Sequence, residues 1–202
     1  MFQPTVKLEF VRRYCSPHLG WRVFVDIDPS ETGRTGGERA GEAARERQAT
    51  MMRDGDEARR ELTRLGATVG GSRASWATEL AKDYPDAALP SVCGDRDIIA
   101  VNAESRRLIV AEVEGASSGQ PEQKLYKAIG QIVLAVGATQ SNGFQTAFVI
   151  VVHGNSVASH LRSAVVLKRI GISGLSLGVT RAEDEWLFMA DNLHSLGIVT
   201  TF

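Results

Sequence analysis

Apolar and polar side chains alternate early in the chain, so TVKLEF (5–10) and WRVFVDID (21–28) are predicted as strands joined by the turn residues CSPHLG (15–20). The alternation then gives way to SETGRTGGERAGEA (30–43), glycine-rich and charged, which is expected to be an exposed loop. From about Gly41 the residues are good helix formers through EAARERQATMMRDGDEARRELTRL (42–65), with Gly66 as the stop. Gly55, inside DGD, is a point where that helix would divide. VGGSRASWATELAKDYPDAALP (69–90) holds one short helical stretch among glycines and prolines.

The second half is more strongly patterned. DIIAVN (97–102) and LIVAEVE (108–114) are two strands joined by a turn, and GASSGQPEQ (115–123) is a loop before a helix over 124–138. FQTAFVIVVHG (144–154) is almost continuously apolar, as a strand covered on both faces must be. NSVASHLRSAVVLKRIG (155–171) has helical spacing, Asn155 as N-cap and Gly171 as stop, while ISGLSLGVT and EWLFMA suggest two last strands. Strands alternating with helices predict an α/β fold: a mixed central sheet flanked by helices. A chain of 202 residues fits a single domain (1–202). Within it, 1–90 would decorate a core over 91–180, and 181–202 would supply C-terminal strands.

Composition changes this picture little. The formal charge of −1 gives no overall electrostatic footprint of a nucleic-acid binder, although a local basic surface beside an acidic site remains compatible. Cys15 and Cys93 form no CxxC pair, which argues against a disulfide framework and fits a reducing cytoplasm. MFQPTVKLEFVRR lacks the apolar core of a signal peptide, and IVLAVGA and AFVIVV fall well short of the roughly 20 residues of a membrane helix. The expectation is a protein of the cytoplasm that does not meet membranes.

The candidate chemistry lies in GDRDIIAVNAESRRLIVAEVEG (94–115). A hairpin turning at Ala103–Arg106 sets Asn102 opposite Arg107 and Ile99 opposite Val110, and continuing that register sets Asp97 opposite Glu112. Opposed residues share a face with Cβ atoms about 4.5–5.5 Å apart, and Glu114 returns to that face two residues on. Asp95 would oppose Glu114 if pairing continued. Carboxylates gathered this way raise one another's pKa, and a hard divalent cation removes the strain by taking oxygen ligands. A one-residue slip would instead send these side chains to the other face, as solvated strand-end acids.

RDIIAV, LIVAEVEG and QKLYKAIGQ, within residues 94–131, resemble the core of the PD-(D/E)XK, restriction-endonuclease-like nuclease superfamily. That resemblance implies a restriction-endonuclease-like fold and a metal-dependent nuclease using Mg²⁺ or Mn²⁺ on nucleic acid, DNA in the first instance. Many nucleases of that type cut duplexes as dimers, so the resemblance is compatible with a homodimer, although the sequence itself is silent on oligomeric state. By the resemblance Asp97 matches the first acid, Glu112 the second and Gln131 the helix glutamine. Arg96 stands where the family has proline, and Glu114 stands where it has lysine. Glu114 would then be a further metal ligand, or Lys124 or Lys127 would supply the missing cation. The third outcome is lost catalysis, leaving a module that binds nucleic acid or a protein partner. Lys124, at the helix start, is the favoured substitute, and Tyr126 is expected to be partly packed.

Other features carry less. His153 and His160 read as structural, and Cys93 as a buried thiol. GRTGGERAG (33–41) lacks the G-K-[ST] ending of a phosphate loop. Glu38, Glu42 and Glu46 share a helical face but read as solvated. Arg59, Arg60, Arg162, Lys168 and Arg169 could meet phosphates, though the polar faces of surface helices explain them as well.

Overall fold

The computed structural model describes residues 1–27, 41–70, 73–84, 96–116, 121–138 and 143–190. The first element departs from the strand reading of TVKLEF, because residues Gln3–Tyr14 form helix α1. Pro4 sits in its first turn, where a missing N–H is tolerated, and the next proline is Pro17, beyond the helix. Twelve uninterrupted residues make a helix that buries Val6, Lys7, Phe10 and Val11, whereas alternation over 5–10 would set Lys7 on the face opposite Val6 and Phe10.

Strand β1 (Arg22–Val25) follows, then α2 (Glu42–Leu65), β2 (Thr68–Val69), α3 (Arg73–Asp83) and the hairpin β3 (Ile98–Asn102) and β4 (Arg107–Glu114). Helix α4 (Pro121–Ala138), β5 (Gln145–Val152), α5 (Asn155–Ser163), β6 (Ile172–Ser176) and β7 (Glu185–Phe188) complete the described elements. Helix α2 runs unbroken through Gly55, since the cost of one helical glycine, about 1 kcal/mol, is outweighed by good helix formers on both sides. The helix expected over 155–171 is instead α5 followed by a 3₁₀ helix over Val165–Ile170, and the N-cap is Gly154 rather than Asn155. Both expected glycine stops hold: Gly66 and Gly171 adopt left-handed φ values of 93° and 86°.

Among the described residues the sheet has seven strands, in the order β2-β1-β3-β4-β5-β6-β7. Strands β4, β5 and β6 run parallel, β3 is antiparallel to β4, and β1 is antiparallel to β3 and parallel to β2. The fold is therefore mixed α/β with helices on both faces, and β1 belongs to the sheet rather than decorating it. Helices α1 and α2 cover one face through Val6, Phe10, Ala58 and Leu62, packed on Val25, Ile98, Ala111, Val113 and Val151. Helices α3, α4 and α5 cover the other through Trp76, Leu80, Leu125, Ile132 and Leu161, packed on Ile99, Val110, Ile150 and Val152. Strands β4 and β5 are interior and buried along nearly their whole length. Their C-terminal ends, with the end of β1 and the start of β3, form the rim where ligands of open α/β sheets bind.

Candidate site at the end of the central strands

The hairpin pairs Asn102 with Arg107, Ile99 with Val110 and Ile98 with Ala111 across a turn at residues 103–106, the register expected from sequence. The ladder stops at Ile98, one position short of Asp97. Asp97 is held there by its carbonyl, which accepts the Asp26 N–H at 2.8 Å, and by its carboxylate, which accepts the Val113 N–H at 2.8 Å. Its side chain thus folds across the end of β4 and reaches α1. Lys7 Nζ lies 2.8 Å from Asp97 Oδ1, and Gln3 Nε2 donates to Asp97 Oδ2 at 3.5 Å.

Glu112 and Glu114 alternate onto the α4 face of the sheet with Val110, and both are substantially enclosed. Glu112 is 3% exposed, and burial, then the charge of Asp97, pushes its pKa up to about 9. Arg96, itself buried, opposes that rise from 3.5 Å. Glu114 is pushed up to about 7, chiefly by burial; Lys124 pulls it down, Asp97 raises it, and Lys7 and Lys127 lower it further. Each of these acids feels Asp97, so the three groups share one electrostatic site. Glu114 Oε2 is buried and accepts no hydrogen bond from the described residues. An orphaned carboxylate oxygen is rare in folded interiors, where buried polar atoms find partners.

Helix α1 is delivered to this rim by local chain geometry. Phe2 bridges Ala116, and the Ala116 N–H donates to the Met1 carbonyl at 2.9 Å. Gly115 is required at this crossing, because a Cβ there would lie 2.5 Å from the Gln3 nitrogen. Gln3 also donates to the Val113 carbonyl at 2.7 Å. Gln3 and Lys7, four residues apart, share one helical face and both reach Asp97.

The other candidates divide clearly. Lys124 is half-buried in the first turn of α4, and Gln131 is half-buried two turns further along the same face. Lys127 is exposed. Tyr126, expected to be partly packed, is 65% exposed because it falls on the outer side of α4. His153 is a structural residue: its Nδ1 lies 2.8 Å from the Leu177 carbonyl, an acceptor only, so that nitrogen carries the proton. His160 likewise bonds the Ser156 carbonyl and approaches Glu122 at 3.2 Å. Arg59 donates to the Ile27 carbonyl at 3.3 Å and Arg162 pairs with Glu185, whereas Arg60, Lys168 and Arg169 are exposed on helical surfaces. Glu42 and Glu46 are exposed, as expected of solvated acids; Glu38, Cys93 and Asp95 lie outside the described residues.

Lys7, Gln3 and the role of Arg96 were not foreseen. The available signal was Lys7 standing with Phe10, Val11 and Tyr14 on one helical stripe, visible only once Gln3–Tyr14 is a helix. Among the described residues no three His, Cys, Asp or Glu side chains form a ready cage for an ion. Mg²⁺ needs less than a cage, since one or two carboxylates, water and substrate oxygens complete its shell. Glu112 and the orphaned Glu114, all-oxygen donors two residues apart on one strand face, fit that requirement. No helix among the described residues is long and apolar enough to cross a membrane. Comparison with protein-family models, curated proteins and solved structures finds no significant match.

Proposed function

We propose that this chain is a metal-dependent nuclease of the restriction-endonuclease-like type, hydrolysing phosphodiester bonds in nucleic acid, DNA foremost. The observation that carries the reading is Glu114 Oε2, a buried carboxylate oxygen with no hydrogen-bond donor among the described residues, beside a second buried acid on the same strand. Asp97 immediately before β3, Glu112 on β4 and Gln131 on the helix that follows support it, in the order the resemblance requires. Asp97, Glu112 and Glu114 are the residues that would hold Mg²⁺ or Mn²⁺, and a bound ion supplies an activated water and neutralises charge on the phosphodiester. Lys124, half-buried and first among the cations that act on Glu114, would offset phosphate charge in place of the absent strand lysine. Gln131, half-buried on the same helix face, would hydrogen-bond near a phosphate or a ligating carboxylate.

A second reading, a nuclease-fold module that binds nucleic acid or protein without cutting, is favoured by one observation. Arg96 on Glu112 and Lys7 on Asp97 already give two of the acids a counter-charge. Calorimetric titration of Mn²⁺ into wild type and Glu112→Gln, with plasmid nicking on the same samples, separates the two. Binding and nicking that are both lost in the variant support the enzyme. Mn²⁺ binding without nicking points to the module, and absent binding in wild type removes the metal site altogether.

A further inference from the structure

We infer that Lys7 is a positioning residue for this site, the buried side chain that holds the Asp97 carboxylate in its place and orientation. The inference rests on the nuclease reading and adds to it a residue from outside the hairpin and α4. A fully buried lysine is unusual, because its ammonium must replace every lost water contact. Lys7 is 0% exposed, and its Nζ is engaged by Asp97 Oδ1 at 2.8 Å and by the Asp26 carbonyl at 2.6 Å. Those two partners come from the start of β3 and the end of β1, which are themselves joined by the Asp26 N–H to Asp97 carbonyl bond.

The chain gives α1 no choice about where this charge goes. Gly115 admits the first turn against the end of β4, the Met1–Ala116 bond fixes it, and Gln3 is clamped to Val113. One helical turn later Lys7 meets Asp97. On β4 a glutamate occupies the position where the resembling family has lysine, so positive charge is missing from the strand itself. Lys7 brings a positive charge to Asp97 from the α1 side, while Lys124 acts on Glu114 from α4. The two lysines have different work. Lys7 is too buried to touch a polymer and acts through Asp97; Lys124 is accessible.

The test compares wild type, Lys7→Met and Lys124→Ala, each checked for a cooperative melt. Plasmid-nicking kinetics and Mn²⁺ calorimetry are run on the same preparations. In Lys7→Met, kcat should fall by about 100-fold, the scale of a small misplacement of a reacting group, with KM for plasmid unchanged. Its Mn²⁺ affinity should rise about tenfold, because a full positive charge beside a metal-side carboxylate is gone. Lys124→Ala should instead raise KM. A merely structural lysine would leave Mn²⁺ affinity unchanged or lower it, and either result overturns the inference, as does nicking within about threefold of wild type. Should Lys7→Met fail to melt cooperatively, Lys7→Gln, which keeps a donor without the charge, is measured for the same rise in affinity. Wild type that neither binds Mn²⁺ nor nicks overturns the nuclease reading and the Lys7 role with it. An active wild type with an indifferent Lys7 variant overturns the Lys7 role alone.

Discussion

Helix α1 serves two buried charge clusters, one at each end, and they are built differently. At its C-terminal end Arg13 meets Asp184 at 2.7 Å, and Asp184 also accepts the Tyr14 hydroxyl at 2.9 Å and the Gly178 N–H at 3.0 Å. Arg13 is further shared with Glu9 and the Gly178 and Val179 carbonyls. That cluster is closed, with donors and acceptors matched in kind and direction. At the N-terminal end, Lys7 and Arg96 meet Asp97 and Glu112, and a third acid, Glu114, keeps a buried oxygen without a donor among the described residues. Matched clusters stabilise a fold by leaving nothing unpaired; a cluster with a surplus of buried carboxylate weakens the fold unless something arrives to use it. The difference is the physical ground for placing the proposed metal site at one end of the helix and a structural cluster at the other.

The largest effect should come from breaking the closed cluster. Asp184→Ala strips Arg13 and Tyr14 of their buried acceptor, and removing one partner of such a pair costs about 3–5 kcal/mol. At roughly 2–4 °C per kcal/mol for a chain of this size, thermal unfolding should begin at least about 6 °C earlier. Mn²⁺ affinity, measured by calorimetry, should not change, because the site lies at the other end of α1. A fall in affinity would mean that the two clusters are one unit.

Next comes the crossing that carries α1 to the open cluster. Gly115→Ala places a Cβ 2.5 Å from backbone, so α1 or β4 must shift, at about 1–3 kcal/mol. Unlike Asp184→Ala, it should weaken Mn²⁺ binding along with stability. Equal affinities for wild type and variant would show that the start of α1 is not needed to set the acids.

How much of this contrast was legible in the sequence follows from how local each feature is. The hairpin register was readable because its turn, its β-branched strands and its two-residue alternation all lie within residues 97–114. The acids Asp97, Glu112 and Glu114 came with it, and Gly66 and Gly171 announced their helix ends by chemistry that belongs to glycine alone. Helix α1 was misread because TVKLEF fits a strand and a helix equally over six residues, and the tie is broken only by Pro4, helix length and tertiary packing. With TVKLEF read as a strand, Lys7 was not singled out, and the cation missing at the Glu114 position was sought on α4 alone. The partners Gln3 and Asp97 stand 94 positions apart, a distance over which no periodicity carries information. Tyr126 failed for a related reason: α4 is apolar on more than its buried face, leaving Tyr126 and Leu134 exposed, so hydropathy could not say which stripe faces the sheet.

A smaller effect distinguishes the clusters by pH. Glu112 and Glu114 have folded-state pKa values raised to about 9 and about 7, above their unfolded values. The folded state therefore binds more protons than the unfolded one, and stability must fall as pH rises from about 4.5 towards 9. Metal-free protein should melt progressively lower across that window in differential scanning fluorimetry. Glu112→Gln, which cannot ionise, should match wild type near pH 4, where the carboxyl is protonated folded and unfolded alike, and should exceed it by a margin that grows as pH rises towards 9. A melting temperature that rises with pH would mean that the acids are fully compensated and the cluster closed.

The smallest effect tests which cation serves Glu114. Burial raises this group, and among the charges that pull it down Lys124 comes first, ahead of Lys7 and Lys127. Lys124→Ala should thus move the Glu114 titration upward from about 7, and Lys127→Ala should move it less, as read from carboxyl carbon shifts in NMR. Neither change should alter stability beyond about 0.5 kcal/mol, because both side chains reach solvent. The order of the two shifts is the informative quantity. If Lys127 moves Glu114 more than Lys124 does, the first turn of α4 presents its other side to the site, and the cation that completes the open cluster must be sought one turn along the helix.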